Sequence, residues 1–535
     1  MTGPDYSDEE TQENIVTVVQ GIERFVAAGQ NTEASDLLDQ LIPVIAHGID
    51  FVENADEIGL FSGLALACAR LSRLDDTQNY ARRAIIENPD DLLAHALLAP
   101  EARISVARQL IRHQRHDLAR DLLKTMGMTG QSNEGEFYLE LLDFYDTQKA
   151  LARRLPSQPY RDEQRPTLLN LVVWDEEHIE KCLKYAIPSL LAPGNIPDLA
   201  SESGVIVDIY TSEDGRTLIE DDPAFGALAK FAEIRFTEIP DTLLRYERTE
   251  STPDPENWCV AGAQYTAAVA ARHLDADIAF IGVDNIYSDS CLSGAKAFIE
   301  AGHSGVLTNA IRAQEAPMDD YLKEEIPGAG SPDIEIDSAQ LLAYATQNID
   351  RRYFDLFIDS DATQADQEPV AVFFATEDGF AAHSFRLTPV MISSDLLPDD
   401  VVFDFHTAEK RFMAEIINGR DPEALIKVVE EPNGDIAVIE LDAEDAEKVR
   451  NIRQFPVTTE TCAKAGLEWC FKESDIPYCL WAIRQRFTVP CGDYGLELPE
   501  SDMDEERTVE EVLDRFEAGV QETVQRIRFY NGAYR

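Results

Sequence analysis

The pattern of hydrophobic and polar positions changes once along this chain. Up to about residue 150 apolar side chains recur at helical spacing, as at Val18, Ile22 and Phe25. From Thr167 onward short apolar runs alternate with helical stretches, which is typical of a mostly parallel sheet joined by helical crossovers. The pattern predicts four parts: an all-α domain over residues 1–150, a linker over 151–166, an α/β domain over 167–500 and a C-terminal helix over 501–535.

Two N-terminal segments form a helical pair. Residues 58–71 are rich in small side chains, and residues 75–89 place Ala81 and Ala84 at packing positions before Pro89. The second segment resembles the B helix of a tetratricopeptide repeat, and residues 116–123 are a weaker copy. Stacked helix pairs of this kind offer a docking surface for a protein partner or for other copies of the chain. A helical domain that only packs against the rest of the chain is the alternative.

Further apolar runs predict the strands of the α/β domain. The clearest are residues 167–174, 205–211, 277–283 and 305–308, and weaker ones are 368–376, 382–393 and 401–406. The sequence Pro432-Asn-Gly-Asp435 predicts a hairpin turn between apolar strands. No glycine-rich loop follows the first run, because residues 174–178 read WDEEH. This argues against a dinucleotide-binding Rossmann domain or a P-loop enzyme.

The third of these runs ends on charged and polar residues. Asp284 and Asn285 follow DIAFIGV at the carboxyl edge, where ligands bind in open α/β sheets. Ser288 and Asp289 are predicted to cap a helix that begins near Cys291. Strands also end in Asp because Asp favours turns, so a purely structural role for Asp284 is an equal alternative at this point.

The segments around Asp284 resemble a known family. A helix with a Tyr, a short apolar strand, an Asp with a nearby Ser-Asp, a helix, a strand and an Arg occur in this order. That order resembles the nucleotide-sugar-dependent glycosyltransferases of the GT-A fold, in particular the bacterial family-2-like members. The resemblance implies transfer of a sugar from a nucleotide-diphosphate donor to an acceptor hydroxyl. In that fold the last acid of an Asp-x-Asp motif holds a divalent ion, Mn²⁺ or Mg²⁺. Asp284 matches this position, and Gly282 stands where the partner acid would be.

The resemblance also implies a donor pocket at the ends of the first two strands. It makes Trp174, Asp175, Thr211 and Asp214 candidates for the base and ribose. Arg312 is the candidate for the diphosphate, because a guanidinium makes paired, charge-assisted bonds to phosphate oxygens.

The remaining candidates concern the metal and the acceptor. His383 lies in a segment similar to a His-rich stretch of bacterial GT-A-like proteins and is a candidate metal or acceptor ligand. A lone His beside a strand is more often structural. An inverting enzyme of this fold needs a carboxylate as general base. Asp404 is the first candidate and Asp289 the second. Residues 316–333 are predicted to form a loop over the edge of the site.

The net charge of the chain excludes some classes of binding partner. The chain has 46 Lys and Arg against 100 Asp and Glu, a net charge of −54, with the acids spread from end to end. Such a field repels nucleic acids and anionic lipids. No apolar run approaches the ~20 residues of a membrane span, and the first residues lack a basic and apolar signal region. We therefore expect a cytoplasmic protein that binds no nucleic acid and does not span a membrane.

Two local concentrations of residues have competing interpretations. Arg153, Arg154, Arg161 and Arg165 crowd the linker and form either a phosphate-facing collar or ion pairs with neighbouring acids, of which pairs are the more common. The eight cysteines are scattered, and the last four lack the paired CxxC spacing of a zinc site, so buried thiols are expected.

The sequence therefore leaves two functions open. Asp284, Arg312 and Asp404 together favour a glycosyltransferase. The glycine at position 282 and the loss of histidines around His383 favour a catalytically inactive GT-A-like scaffold or adaptor whose helical repeats bind a protein partner.

Overall fold

The structure is a computed structural model, and it describes most of the chain from residue 132 onward together with parts of the N-terminal region. The described residues are 22, 34–35, 37–38, 60–71, 73–87, 94, 106–108, 110–111, 115–127, 132–155, 165–247, 254–325, 333–349, 357–358, 364–365, 370–376, 379–401, 403, 405–417, 419–429, 436–442, 455–473, 476–490 and 504–533. No helix within these residues is both long enough and apolar enough to cross a bilayer.

Helices occur along the whole described chain. In chain order they are α1 Leu60–Arg70, α2 Leu74–Glu87, α3 His116–Gly127, α4 Ser132–Ala152, α5 Glu176–Lys181, α6 Ile187–Leu190, α7 Ile196–Glu202, α8 Glu213–Glu220, α9 Pro223–Leu228, α10 Asp241–Leu244, α11 Pro255–Leu274, α12 Cys291–Glu300, α13 Glu315–Glu325, α14 Ser338–Gln347, α15 Met413–Ile417, α16 Pro422–Leu425, α17 Thr459–Glu473, α18 Ile476–Ala482 and α19 Glu505–Ala533. Two short π-helical turns, Cys182–Ala186 and Ala408–Phe412, lead into α6 and α15.

The strands form one large sheet and three small ones. They are β1 Thr167–Val172, β2 Val205–Thr211, β3 Ala232–Glu238, β4 Asp277–Ile281, β5 Asn285–Tyr287, β6 Gly305–Thr308, β7 Ile311–Gln314, β8 Gln364–Ala365, β9 Ala371–Thr376, β10 Gly379–Ser384, β11 Thr388–Ile392, β12 Ile426–Val428, β13 Val438–Asp442, β14 Phe455–Pro456 and β15 Phe487–Pro490. The large sheet has the order β12-β6-β11-β4-β1-β2-β3, and the small sheets are β15-β10-β9, β5-β13-β7 and β14-β8.

Six strands of the large sheet are parallel, and β11 alone runs against them. The prediction of a mostly parallel α/β sheet is therefore confirmed. The apolar runs 205–211 and 305–308 coincide with β2 and β6, and the runs at 167 and 277 contain β1 and β4. Continuous apolar runs fit these strands because helices and loops cover both faces of the sheet.

The two faces of β1 and β2 differ in polarity. Leu169 and Leu171 point into a large apolar core that includes residues of α5, α7, α9 and α12. The opposite face carries buried Asn170 on β1 and Asp208 on β2 at matched positions, and Arg235 of β3 stands next in the same row. Burial raises the pKa of Asp208 to about 6, although Arg235 opposes the shift.

The described chain divides into two compact units. One includes the chain up to Leu142 and from Val520 onward, and the other includes Asp143–Glu247 and Asp254–Gly519. In the first unit α1 and α2 form a helical pair, with the Arg83 guanidinium over the Phe61 ring at 4.8 Å from its centroid. The division falls inside α4, whereas the sequence placed a linker at 151–166.

Several local predictions were wrong. The run 382–393 is two strands in different sheets, β10 and β11. The described residues of 401–406 form no strand, and residues 315–325 are helix α13 in place of a loop. The segments on either side of Pro432 belong to different sheets and form no hairpin, since β12 pairs with β6 while β13 pairs with β5 and β7.

Candidate functional site

The order of the strands creates a switch point between β1 and β4. The chain adds β2 and then β3 on one side of β1, and it places β4 on the other side. At such a reversal the connections leave in opposite directions, so a crevice opens outside the carboxyl ends of the two strands. Trp174 and Asp175 follow β1 at this edge, and Asp284 follows β4.

Asp284 is partly buried at this edge, in a mixed electrostatic field. Its backbone carbonyl accepts a hydrogen bond of 2.9 Å from the Leu441 amide, which ties it to β13. Burial is the main cause that raises the pKa of Asp284 to about 6, and the negative charge of Glu440 adds to it. His178 and Arg312 act in the opposite direction. Asp284 thus lies within electrostatic reach of one acid and two basic side chains.

Arg312 lies within β7 beside the acids of β13. Its Nη2 is 2.8 Å from Glu440 Oε1, and its Nη1 is 3.5 Å from Asp442 Oδ2. Arg312 and Glu440 are register partners in the parallel pair of β7 and β13. The structure therefore brings Arg312 near Asp284, and it also gives the guanidinium two carboxylate partners that the sequence did not indicate.

Asp175 and His178 form a pair at the end of β1. Asp175 is the N-cap of α5, and its carboxylate accepts from the His178 amide at 3.0 Å. The same carboxylate lies 2.7 Å from His178 Nδ1. A carboxylate on Nδ1 fixes the orientation of an imidazole and leaves Nε2 for other groups. His178 is half exposed, with a side-chain exposure of 49 %. Sequence reasoning missed this residue, although the Asp-x-x-His spacing at a predicted helix start was a usable signal.

The other two donor-site candidates lie at the end of β2. Thr211 is buried, whereas Asp214 is exposed in the first turn of α8. Ser212 connects the two strand ends, since its hydroxyl donates to the Trp174 carbonyl at 3.3 Å. Trp174, Asp175 and Asp214 are therefore accessible to a ligand at this edge of the sheet, whereas the Thr211 side chain is buried in the interior.

Gly282 has a structural reason to be glycine. A Cβ at this position would lie 2.4 Å from the Asn285 side-chain nitrogen and 2.6 Å from its Cγ. The Gly282 amide also donates to the Tyr287 hydroxyl at 3.0 Å. The turn after β4 is therefore packed around the missing side chain, and it has no room for the second acid of an Asp-x-Asp motif without rearrangement.

The two candidates for the general base have different outcomes. Asp404 lies outside the described residues. Asp289 accepts a hydrogen bond of 2.7 Å from the Gly194 amide. The predicted capping role was wrong, because the N-cap of α12 is Ser290, which makes no side-chain cap bond. Asp289 fastens the connection before α7 to the start of α12, and this structural bond competes with a role as base.

His383 lies in β10 of a three-stranded sheet, whereas Asp284 follows β4 of the large sheet. Both of its ring nitrogens contact oxygens, one of Ile483 and one of Glu505. The contacts described for His383 thus involve Ile483 and Glu505 and not Asp284. A role of His383 as a metal or acceptor ligand stays a prediction. No group of three or more potential metal ligands occurs among the residues that the structure describes.

The basic linker pairs with acids at the opposite edge of the sheet. Arg165, just before β1, contacts Asp395 with Nη1 at 2.7 Å and Nη2 at 3.0 Å. Arg153 bonds Asp400 at 2.6 Å. Both acids belong to the loop after the antiparallel strand β11, which ends at the amino edge of the parallel strands. For these two arginines the ion-pair interpretation is confirmed.

The cysteines behave as buried thiols. All seven that fall within the described chain are buried and unpaired with one another, including Cys462, Cys470 and Cys479. Burial raises the pKa of Cys462 to about 12, so its thiolate is disfavoured.

Comparison with known proteins adds no identification. No family model matches the chain, and neither a curated protein nor a solved structure matches it. The fold and the site define the class: a mixed α/β protein with a mostly parallel seven-stranded sheet and a charged cluster at its switch point.

Proposed function

We propose that the chain is a glycosyltransferase of GT-A-like fold that moves a sugar from a nucleotide-diphosphate donor to an acceptor hydroxyl. One observation carries the proposal. Asp284 emerges at the carboxyl edge of β4, beside the switch point, with Arg312 and His178 within electrostatic reach. That crevice is where an open α/β sheet holds a nucleotide or another small ligand.

The charges of the cluster favour a cation together with an anion. Asp284, Glu440 and Asp442 surround one guanidinium, so the cluster is acidic overall. Hard oxygen ligands suit Mg²⁺ or Mn²⁺, which commonly bind one or two carboxylates plus substrate phosphates. Asp284 with Glu440 would hold such an ion, and the ion would neutralise charge on the leaving diphosphate. Fewer than three protein ligands are sufficient because the donor phosphates supply the rest.

The residues at the end of β1 would hold the nucleoside. Trp174 offers an aromatic face to a base, and Asp175 is fixed at the first turn of α5 by its bonds to His178. His178, oriented by that carboxylate, would present Nε2 to a hydroxyl or phosphate of the bound donor.

Calorimetry with UDP and GDP, each with Mn²⁺, tests the proposal. The wild type should release or absorb heat with one nucleotide, and Asp284→Asn should remove the Mn²⁺-dependent part. Asp221→Asn is the matched control, because Asp221 is an exposed acid after α8 in the same sheet domain. Absence of binding to UDP, GDP and their sugar conjugates would reject the transferase.

A scaffold without catalysis is the second candidate. Two observations favour it: Arg312 already has two carboxylate partners, and the turn at Gly282 is closed to a second acid. In this alternative the helical pair α1 and α2 belongs to a repeat surface for a protein partner. Transfer activity that depends on Asp284 would reject it.

A further inference from the structure

The strand β3 forms one edge of the large sheet. No strand within the described chain pairs with its outer side. On its inner side the Ile239 amide, just after the strand, donates to the Thr211 carbonyl of β2 at 2.8 Å. Successive residues of a strand turn their N–H and C=O groups to opposite sides, so Ala232, Ile234 and Phe236 direct theirs outward. Such a row of open backbone groups can accept a further strand.

The side chains of β3 combine charges of both signs with apolar surface. Glu233 and Arg235 share one face of the strand, with 2.8 Å between Arg235 Nη2 and Glu233 Oε1, and the Glu233 side chain is 43 % exposed. Phe231, just before the strand, is 41 % exposed. Charged side chains commonly protect an edge strand against pairing. Here the two charges are opposite in sign and two positions apart, which allows them to match a second copy of the same strand.

The charge pattern selects one register for such a pairing. A two-fold axis perpendicular to the sheet sets one residue of β3 opposite its own copy. With Ile234 at the axis, Glu233 faces Arg235 of the second copy, twice by symmetry. With Arg235 at the axis two guanidinium groups face each other, and with Phe236 at the axis Arg235 faces Thr237. Unlike charges directly opposite stabilise a strand pair and like charges destabilise it, so the first register is favoured.

The backbone fits the same register. Ile234 directs both of its backbone groups outward, so it can exchange two hydrogen bonds with its own copy. Glu233 and Arg235 then fall at the non-hydrogen-bonded positions, where opposite side chains are closest. On the other face Phe236 lies opposite Ala232, a large side chain against a small one.

We propose that β3 joins two copies of this chain into a symmetric dimer by antiparallel pairing, with Ile234 opposite its own copy. The large sheet then continues from one copy into the other. The strand β2 separates this edge from the crevice between β1 and β4, so the dimer does not depend on the proposed transferase.

The net charge determines when the dimer forms. Two copies that each carry −54 repel each other at low ionic strength. Salt shortens the screening length from about 10 Å at 0.1 M to about 3 Å at 1 M, which removes this long-range repulsion but weakens the contact pairs of Glu233 and Arg235 much less. A strand pair of this length also buries less surface than a standard interface. We therefore expect a dissociation constant in the micromolar range that falls as salt is added.

Sedimentation velocity of the full-length protein tests the dimer. The wild type should sediment as a dimer at about 100 µM protein in about 1 M NaCl. Glu233→Arg should weaken the dimer at least about ten-fold, because the new side chain faces Arg235 of the second copy twice. Glu300→Arg is the matched control: Glu300 is exposed at the end of α12, which packs on β6 and β11, and the change in net charge is the same. This control should dimerise at least as strongly as the wild type. A monomeric wild type, or equal dimerisation of the two variants, would overturn the proposal.

Mixing two variants tests the register. Glu233→Arg and Arg235→Glu each set like charges opposite one another in their own dimers, so each should be monomeric alone. In a mixture the arginines at positions 233 and 235 of one chain face the glutamates at positions 235 and 233 of the other. The mixture should therefore dimerise about as strongly as the wild type. Two variants that stay monomeric when mixed would contradict this register.

A second measurement covers a failure of Arg235→Glu to fold. Arg235 is the register partner of buried Asp208, so circular dichroism must show that this variant is folded. If it is not, a mixture of Glu233→Cys and Arg235→Cys replaces it. The two Cα atoms lie about 4.5 Å apart in the proposed register, within the range of a disulfide. Mild oxidation should link the mixture far more than either variant alone, and equal linkage in all three samples would contradict the register.

Discussion

Arg312 and Glu440 face each other across the parallel pair β7 and β13, with 2.8 Å between Nη2 and Oε1. Both side chains are largely buried, and Asp442 stands two residues further along the same strand. Asp284 is joined to β13 through its carbonyl. The guanidinium therefore contacts two carboxylates and lies within electrostatic reach of a third, that of Asp284. Any anionic ligand at this edge must compete with Glu440 or bring a cation with it.

The first prediction concerns this arrangement. Arg312→Ala should lower the free energy of unfolding by about 1–3 kcal/mol, because it removes the guanidinium that contacts Glu440 and Asp442 and that favours the ionised form of Asp284. The double variant Arg312→Ala with Glu440→Gln should regain part of the loss. Urea unfolding of the two single variants and the double variant gives the coupling energy. Strict additivity would show that the two side chains do not interact in solution.

The second prediction concerns the buried ion pair at the amino edge of the sheet. Lys296 Nζ lies 2.5 Å from Asp277 Oδ2, both side chains are at most 5 % exposed, and Nζ also donates to the Arg165 carbonyl at 2.8 Å. Lys296→Met should cost about 3–5 kcal/mol, because it leaves a buried carboxylate without its partner. The pair Lys296→Met with Asp277→Leu should recover most of this in a thermal melt. Equal loss in both proteins would contradict this reasoning.

The third prediction is a pH dependence. Asp208 has a pKa raised by burial from 3.8 to about 6 in the native state. Between these values the native chain holds a proton that the unfolded chain has released, so this group lowers stability as pH rises, and the penalty is complete above about pH 6. Asp208→Asn should therefore add about 1–3 kcal/mol at pH 7.5 and little near pH 4.

Denaturant unfolding at both pH values measures this difference. Asp221 is an exposed acid at the end of α8, so Asp221→Asn should change stability little at either pH and controls for the general relief of negative charge. A gain in Asp208→Asn that is the same at both pH values would refute the assignment to a buried carboxyl.

The fourth prediction concerns the turn after β4. Gly282→Asp restores the spacing of an Asp-x-Asp motif, but its Cβ would meet the buried Asn285 side chain at 2.4 Å. The variant should lose about 1–3 kcal/mol through overpacking and should gain no affinity for Mn²⁺. Gly282→Asp combined with Asn285→Gly should recover stability. Thermal melts and Mn²⁺ titration followed by electron paramagnetic resonance separate the two effects.

The central strands could be predicted from the sequence because a strand that is buried on both faces is a continuous apolar run. The run Val205–Thr211 is apolar with one acid, and its bounds equal those of β2. The small sheet β5-β13-β7 has no apolar runs of this kind. Its strands have three to five residues, and β7 pairs with β13 more than a hundred positions later. Nothing local specifies that pairing.

The candidate site likewise combines features that the local sequence predicts with features that it does not. The position of Asp284 at the edge of the sheet followed from the run before it. The carboxylates around Arg312 did not, because Glu440 reaches it only through the pairing of β7 with β13. Asp289 differs from its local prediction in another way: the pattern predicted a helix cap, but its carboxylate accepts a hydrogen bond from the Gly194 amide, which is distant in sequence. Tertiary partners thus replaced local ones where the sequence left two options.

The loop after β11 has a consequence for synthesis of the chain. Lys149 of α4 and Arg153 just after this helix bond Asp400, Arg165 bonds Asp395, and Arg272 of α11 bonds Asp399. The four cations come from three separate segments, and the acid that pairs with each of them is synthesised at least 100 residues later. Until the loop after β11 has been synthesised, none of these four ion pairs can form, and Arg165 has only its earlier acid, Asp275. A growing chain shorter than about 400 residues can therefore form the Lys296–Asp277 pair at the amino edge of its main sheet, but not the ion pairs with this loop. This edge is completed late in synthesis, and an incomplete chain is prone to aggregation.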